Sequence, residues 1–184
     1  MRTHDYQAKT APRFSLPLFL FVNLISFVGY LSLVALLAPT VWKVQIEASF
    51  GAFLQVFLVV HFANAFVEFF FHRYVLHAPL VPLLFRFYKQ HTLHHGLTAV
   101  VAKKVPGREG TLRIENRYPI VDEKQHTASF FPWYAFSVFV VLFTPILAVA
   151  QWLLPEAPIF LGGSAALLWS LFLYETLHGL EHLL

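Results

Sequence analysis

Three short runs hold the residues best able to do chemistry: His72-Arg-Tyr-Val-Leu-His77, His91-Thr-Leu-His94-His95 and His178-Gly-Leu-Glu-His182. In the second, spacings of three and four set His91 beside both His94 and His95 on one helical face, where their imidazoles reach one or two metal ions. In the third, His178 and His182 have the i, i+4 spacing that lets one helix clamp a single ion. His72 and His77 are five residues apart, a rotation of about 140° on a regular helix. They serve one centre only if the helix loosens near His77, and Pro79 favours that by disfavouring helical geometry at the residue before it. The chain has no cysteine. Disulfides, thiolate nucleophiles and Cys-ligated zinc or iron–sulfur centres are excluded, which leaves imidazole and carboxylate as the strong protein ligands. No serine sits in a nucleophile-elbow context, so acyl transfer has no support.

Carboxylates are sparse near these runs. Glu68 precedes His72 by one turn and Glu175 precedes His178 by about one turn, each placed to accept an imidazole N–H and hold the ring for metal binding. The plainer role for both is a helix-stabilising polar pair. His61 lies about three turns before His72, with Asn64 and Glu68 nearly in line between them, so a polar stripe runs along that helix. His61 is read as a support or helix-packing residue rather than a ligand. Asn64 and Tyr174 are weaker members of the same polar lining, and Tyr174 is equally a packing residue. His4 and His126 read as ordinary helix-end or interfacial histidines.

The elements that position these residues belong in a bilayer. Hydrophobic residues make up 58% of 184, charged residues 12%, and mean hydropathy is +0.62, a surface that a soluble domain could not present to water. Four runs approach the roughly 20 apolar residues needed to cross a hydrocarbon core: 14–38, 50–71, 132–154 and 159–180. The turn Pro155-Glu156-Ala157-Pro158 makes the last two an antiparallel hairpin. The first run is long enough to anchor and lacks a clear cleavage site. The connection 73–127 carries nine Lys/Arg against four Asp/Glu, which places it in the cytoplasm together with Arg2, Lys9 and Arg13. The basic charge, with a pI near 9.3, thus has a topological cause, and nucleic-acid binding is not expected. Leu80 to Tyr88 is too short to span and reads as an interfacial or re-entrant helix. From Ala102 to Thr127 a polar loop or small hairpin is predicted. The expected fold is all-α: one polytopic membrane domain, a bundle of about four transmembrane helices with a cytoplasmic histidine-rich cap.

With spans of this order, the phrases HRYVLH, HTLHH and YETLHGLEH resemble the fatty acid hydroxylase superfamily, which includes sterol desaturases and carotenoid hydroxylases. The likeness is close over Glu68 to His95 and Tyr174 to His182. It implies an oxidoreductase with two iron ions held by histidine, here His72, His77, His91, His94, His95, His178 and His182, with no catalytic group beyond the metal centre. Neutral imidazole binds iron without adding charge, and zinc can take the same site in a purified sample. Implied partners are a lipid substrate, the bilayer, O2 and an electron donor such as cytochrome b5 or ferredoxin. The family continues past the fourth span to a further His-x2-His-His cluster, whereas this sequence stops at Leu184. The expectation is a C-terminally truncated chain, the alternatives being ligands from another chain or a degenerate site. Rival functions are an inactive homologue serving as an interaction or lipid-binding protein, and a metal-binding or transport protein. A bis-histidine haem protein fits poorly, because the clusters lie at helix ends. Fatty acyl, sterol, sphingoid and carotenoid substrates all remain compatible.

Overall fold

The computed structural model describes residues 15–78, 80, 82, 85–97, 99–104, 112–117 and 130–183. Within these, the side chains of 86, 87, 90, 94, 96, 97, 179, 181–183 and both strands lie outside the description. The fold is a helical bundle with one small hairpin. In order come α1 (Leu16–Leu37), α2 (Pro39–Glu47), α3 (Phe50–Phe71), a π-helical turn (His72–Leu76), α4 (Phe85–Leu97), β1 (Ala99–Lys104), β2 (Leu112–Arg117), α5 (Ala135–Leu153) and α6 (Ile159–Leu183).

Local chemistry sets these boundaries. Ser15 caps α1 by accepting from the Leu18 N–H at 3.4 Å, and Pro17 sits in the first turn, where a missing N–H costs nothing. Pro39 ends the α1 ladder and starts α2, a short helix that the apolar pattern alone did not announce. The hairpin pairs Ala99 with Arg117 through Lys104 with Leu112, antiparallel. It begins three residues before the predicted polar segment, because Ala99, Val100 and Val101 continue the apolar run into the strand.

Two compact units divide the chain. The larger comprises residues 15–70 and 131–179. In it α1 packs against α2 and α5. Phe19, Phe136, Leu147, Ala166 and Leu171 are buried, while many Leu, Phe, Val and Trp side chains face outward. Several of its polar groups point inward and are bonded. Asn23 is 0% exposed; it donates to the Phe19 carbonyl at 2.7 Å and accepts from the Phe136 N–H at 2.8 Å, satisfying an orphan amide at the start of α5. Gln45 and Gln151, 2% and 6% exposed, are joined at 3.0 Å. Gln45 accepts from the Leu161 N–H, and Gln151 donates to the carbonyls of Leu154, Pro155 and Ala157. Together they fasten the turn between α5 and α6.

An apolar outside and a hydrogen-bonded polar inside suit hydrocarbon rather than water. Among the described residues, four helices are long and apolar enough to cross a membrane: Leu16–Leu37, Phe50–Leu76, Ala135–Leu153 and Ile159–His178. They match the four runs read from the sequence, with the second lengthened by the π turn.

The smaller unit comprises residues 1–14, 71–130 and 180–184. Its described part is the π turn, α4 and the hairpin, with α4 packed on the π turn.

Candidate metal centre

His72 opens the π turn and His77 closes it. The His77 N–H donates to the His72 carbonyl at 3.1 Å, the i→i+5 bond of a π-helix. This is the form the expected loosening takes. The wider turn carries His77 round to the side of His72, and their Nε2 atoms lie 2.9 Å apart. Two residues on, Pro79 has no N–H to give a continuing helix.

The partners come from α4. Its first turns are braced by Phe85 stacked on Tyr88 at 5.6 Å, Lys89 over the Phe85 ring at 4.8 Å and the Thr92 hydroxyl donating to the Tyr88 carbonyl at 2.8 Å. His91 and His95 then share a face, with Nε2 atoms 2.9 Å apart. The packing of α4 on the π turn brings His91 Nε2 to 3.2 Å from His77 Nε2. One donor atom from each of His72, His77, His91 and His95 lies within 4.8 Å of the other three.

Nε2 is the converging atom in every one of these contacts. Four imidazoles presenting lone pairs to one point fit a divalent transition metal, which accepts neutral nitrogen donors without bringing their charges into conflict. Protonation opposes the same arrangement. Partial desolvation of an otherwise exposed ring, and then the neighbouring His77, push the His95 pKa below its ordinary value, which favours the ring's neutral, ligand form.

The remaining residues of the sequence-predicted site fall elsewhere. His94 lies on α4 and His182 on α6, and their side chains are outside the description. His178 is on α6 in the larger unit, stacked on Tyr174 at 5.5 Å and 15°, and Tyr174 in turn meets Phe131 at 5.3 Å. Glu175 is 0% exposed. Its Oε1 accepts from the Phe131 N–H at 3.3 Å, and its Oε2 has no partner among the described residues. His61 bridges α3 to α6: its Nδ1 is 2.9 Å from the Ser170 hydroxyl. That hydroxyl donates to the Ala166 carbonyl, so His61 carries its proton on Nδ1. Ser170 escaped the sequence reading because its partner is 109 positions away. On α3, Asn64 is half-buried and Glu68 exposed. His4 and His126 lie outside the described residues.

Comparison with known protein families, with curated proteins and with solved structures finds no match.

Proposed function

We propose that this chain is a multi-pass membrane oxygenase of the fatty acid hydroxylase and sterol desaturase type, using iron at its histidines to hydroxylate or desaturate a lipid C–H bond. The observation that carries this reading is the convergence of His72, His77, His91 and His95, which come from two of the three runs that resemble that superfamily. The charge pattern of the connections supports a cytoplasmic N-terminus and a cytoplasmic histidine cap. A lipid would then enter from the inner leaflet, and reducing equivalents would come from a soluble or membrane-bound donor such as cytochrome b5 or ferredoxin.

In this reading His72, His77, His91 and His95 hold iron. Bound iron would supply the activation of O2 that no amino-acid side chain provides. The protein's own part is to keep the imidazoles neutral and convergent. Hydrogen-bonded interior polar groups such as Gln45 and Gln151 fix the helices without offering water a path through hydrocarbon.

The test is metal content and turnover of the protein purified in detergent and returned to lipid. About two irons per chain, and O2 uptake coupled to oxidised lipid when a reduced donor is added, support the proposal. Metal-bound protein that takes up no O2 but carries metal across vesicle membranes would assign it to transport instead. A folded chain that binds no metal would leave an inactive scaffold.

A further inference from the structure

The arrangement of the four rings says how many positions they leave open. With a metal–nitrogen bond of about 2.1 Å and a ring radius of about 1.1 Å, two imidazoles on one ion have centroids about 5.3 Å apart if tetrahedral. On an octahedral ion the same rings are about 4.6 Å apart when adjacent and about 6.5 Å apart when opposite. The observed distances are His72–His77 4.7 Å, His72–His91 4.7 Å, His77–His91 4.8 Å, His77–His95 4.9 Å, His91–His95 4.4 Å and His72–His95 6.4 Å. Five pairs are adjacent and one is opposite. No pair takes the tetrahedral value.

The donor atoms agree. Adjacent nitrogens on an octahedral ion stand about 3.0 Å apart, against about 3.4 Å on a tetrahedral one. The three Nε2 separations are 2.9, 3.2 and 2.9 Å. His72 and His95 therefore mark the two ends of one axis, and His77 and His91 occupy two neighbouring corners of the plane between them. The two corners opposite His77 and His91 are neighbours of each other, and among the described residues no further His, Cys, Asp or Glu joins the group.

We propose that His72, His77, His91 and His95 form a self-sufficient site for one octahedral divalent metal, with two adjacent positions for exchangeable oxygen ligands, ideally both atoms of one chelating donor. The sequence order enforces this pattern. The π turn supplies one end of the axis and one corner, the i, i+4 pair of α4 supplies the other end and the other corner, and the two pairs cross. Zinc, which prefers a closed tetrahedron in structural sites, is poorly matched to such corners; iron(II), manganese(II) and cobalt(II) suit them. His77 and His95 are exposed while His72 and His91 are half-buried, so the cluster is reachable by a small ligand. This inference rests on the proposed function only in placing metal at these histidines, and it holds with or without oxygen chemistry.

Cobalt(II) alone is the probe, added to the full chain in detergent. The expected result is retention of one ion by His178→Gln/His182→Gln protein, with the weak visible absorption of six-coordinate cobalt. Acetohydroxamate should then shift that absorption at one equivalent without removing the ion. An intense tetrahedral cobalt spectrum in the unsubstituted chain, or a hydroxamate that leaves the bands unmoved or strips the metal, overturns the open-corner geometry. Loss of the ion in the double variant, with circular dichroism showing an intact helical fold, overturns self-sufficiency. If that variant does not fold, cobalt titration of the unsubstituted chain decides the point: the six-coordinate spectrum must be complete at one equivalent. A failure to take up O2 would count against the oxygenase alone and leave each of these readings unchanged.

Discussion

His72 and His77 are joined twice, by a backbone bond of 3.1 Å from the His77 N–H to the His72 carbonyl and by an Nε2 to Nε2 approach of 2.9 Å. The first contact makes the second possible. On an α-helix the same two residues would diverge by about 140°. Inserting one alanine between Tyr74 and Val75 lengthens the spacing to six and should abolish metal retention. Deleting Val75 restores an i, i+4 pair on an ordinary helix and should preserve part of it. Metal analysis after dialysis distinguishes the two, and equal loss in both variants would show that the π geometry has no special part in binding.

Replacement of His72, His77, His91 or His95 by Ala should each weaken metal binding by more than the about 10- to 100-fold typical of losing a residue that merely supports a ligand. His61→Ala should leave affinity nearly unchanged, because its contact is with Ser170. Competition with a coloured chelator measures all five. A His61 variant that loses metal as completely as the others would move that residue into the ligand set.

Acidification has a definite sign. The His95 pKa is lowered from 6.5 in the folded chain. In the window just below 6.5 the unfolded chain therefore binds more protons than the folded one, so the stability linked to His95 is full above that window and is lost as pH falls through it. Metal should be retained somewhat below the pH at which an ordinary imidazole releases it. Thermal melts of metal-free protein against pH should show this loss, and His95→Phe should remove it.

Two adjacent glycines should respond unequally to alanine. At Gly162 a new Cβ would stand 2.8 and 2.9 Å from Val56 side-chain atoms and 3.2 Å from the Phe53 carbonyl. At Gly163 its severe contact is Leu147 Cδ2 at 2.7 Å, the end of a side chain that can turn away. Gly162→Ala should cost about 1–3 kcal/mol as α3 and α6 are forced apart, and Gly163→Ala less. Unfolding in mixed micelles ranks them.

Gln151→Leu should destabilise the bundle by about 1–3 kcal/mol, because it removes the bond to the Gln45 amide and the side-chain donor shared by the carbonyls of Leu154, Pro155 and Ala157, leaving the Pro155 carbonyl without its hydrogen bond. Replacing Gln45 with Met as well removes an amide that then keeps only its bond to the Val41 carbonyl, but it takes the side-chain acceptor from the Leu161 N–H. A double-mutant cycle should therefore return a coupling between the two glutamines, and simple additivity would show that they act alone.

The spans were legible because a bilayer demands long apolar runs, and α3 begins and ends where the pattern placed it. Of the site, the i, i+4 pair His91 and His95 could be read directly from spacing. His72 and His77 could be suspected but not joined, because a π turn leaves no periodic trace in five residues and Pro79 announces only that the helix must yield. The contacts of Asn23 with Phe136 and of Gln45 with Gln151 could not be read at all. Each links residues more than a hundred positions apart, and a lone amide in an apolar helix does not name its partner. In sequence, Glu175 reads as a carboxyl set to accept an imidazole N–H; its bond to the Phe131 N–H depends on how α5 begins, which local composition does not specify.

The extra residue of the π turn is absorbed within a single loop of backbone. It shifts the direction of His77 without rotating anything before His72. Selection can therefore tune where that imidazole points by adding or removing one residue, while the helix upstream keeps the face it turns toward Ser170 and Gly162. The aim of the ligand and the seating of the helix become separable inheritable traits.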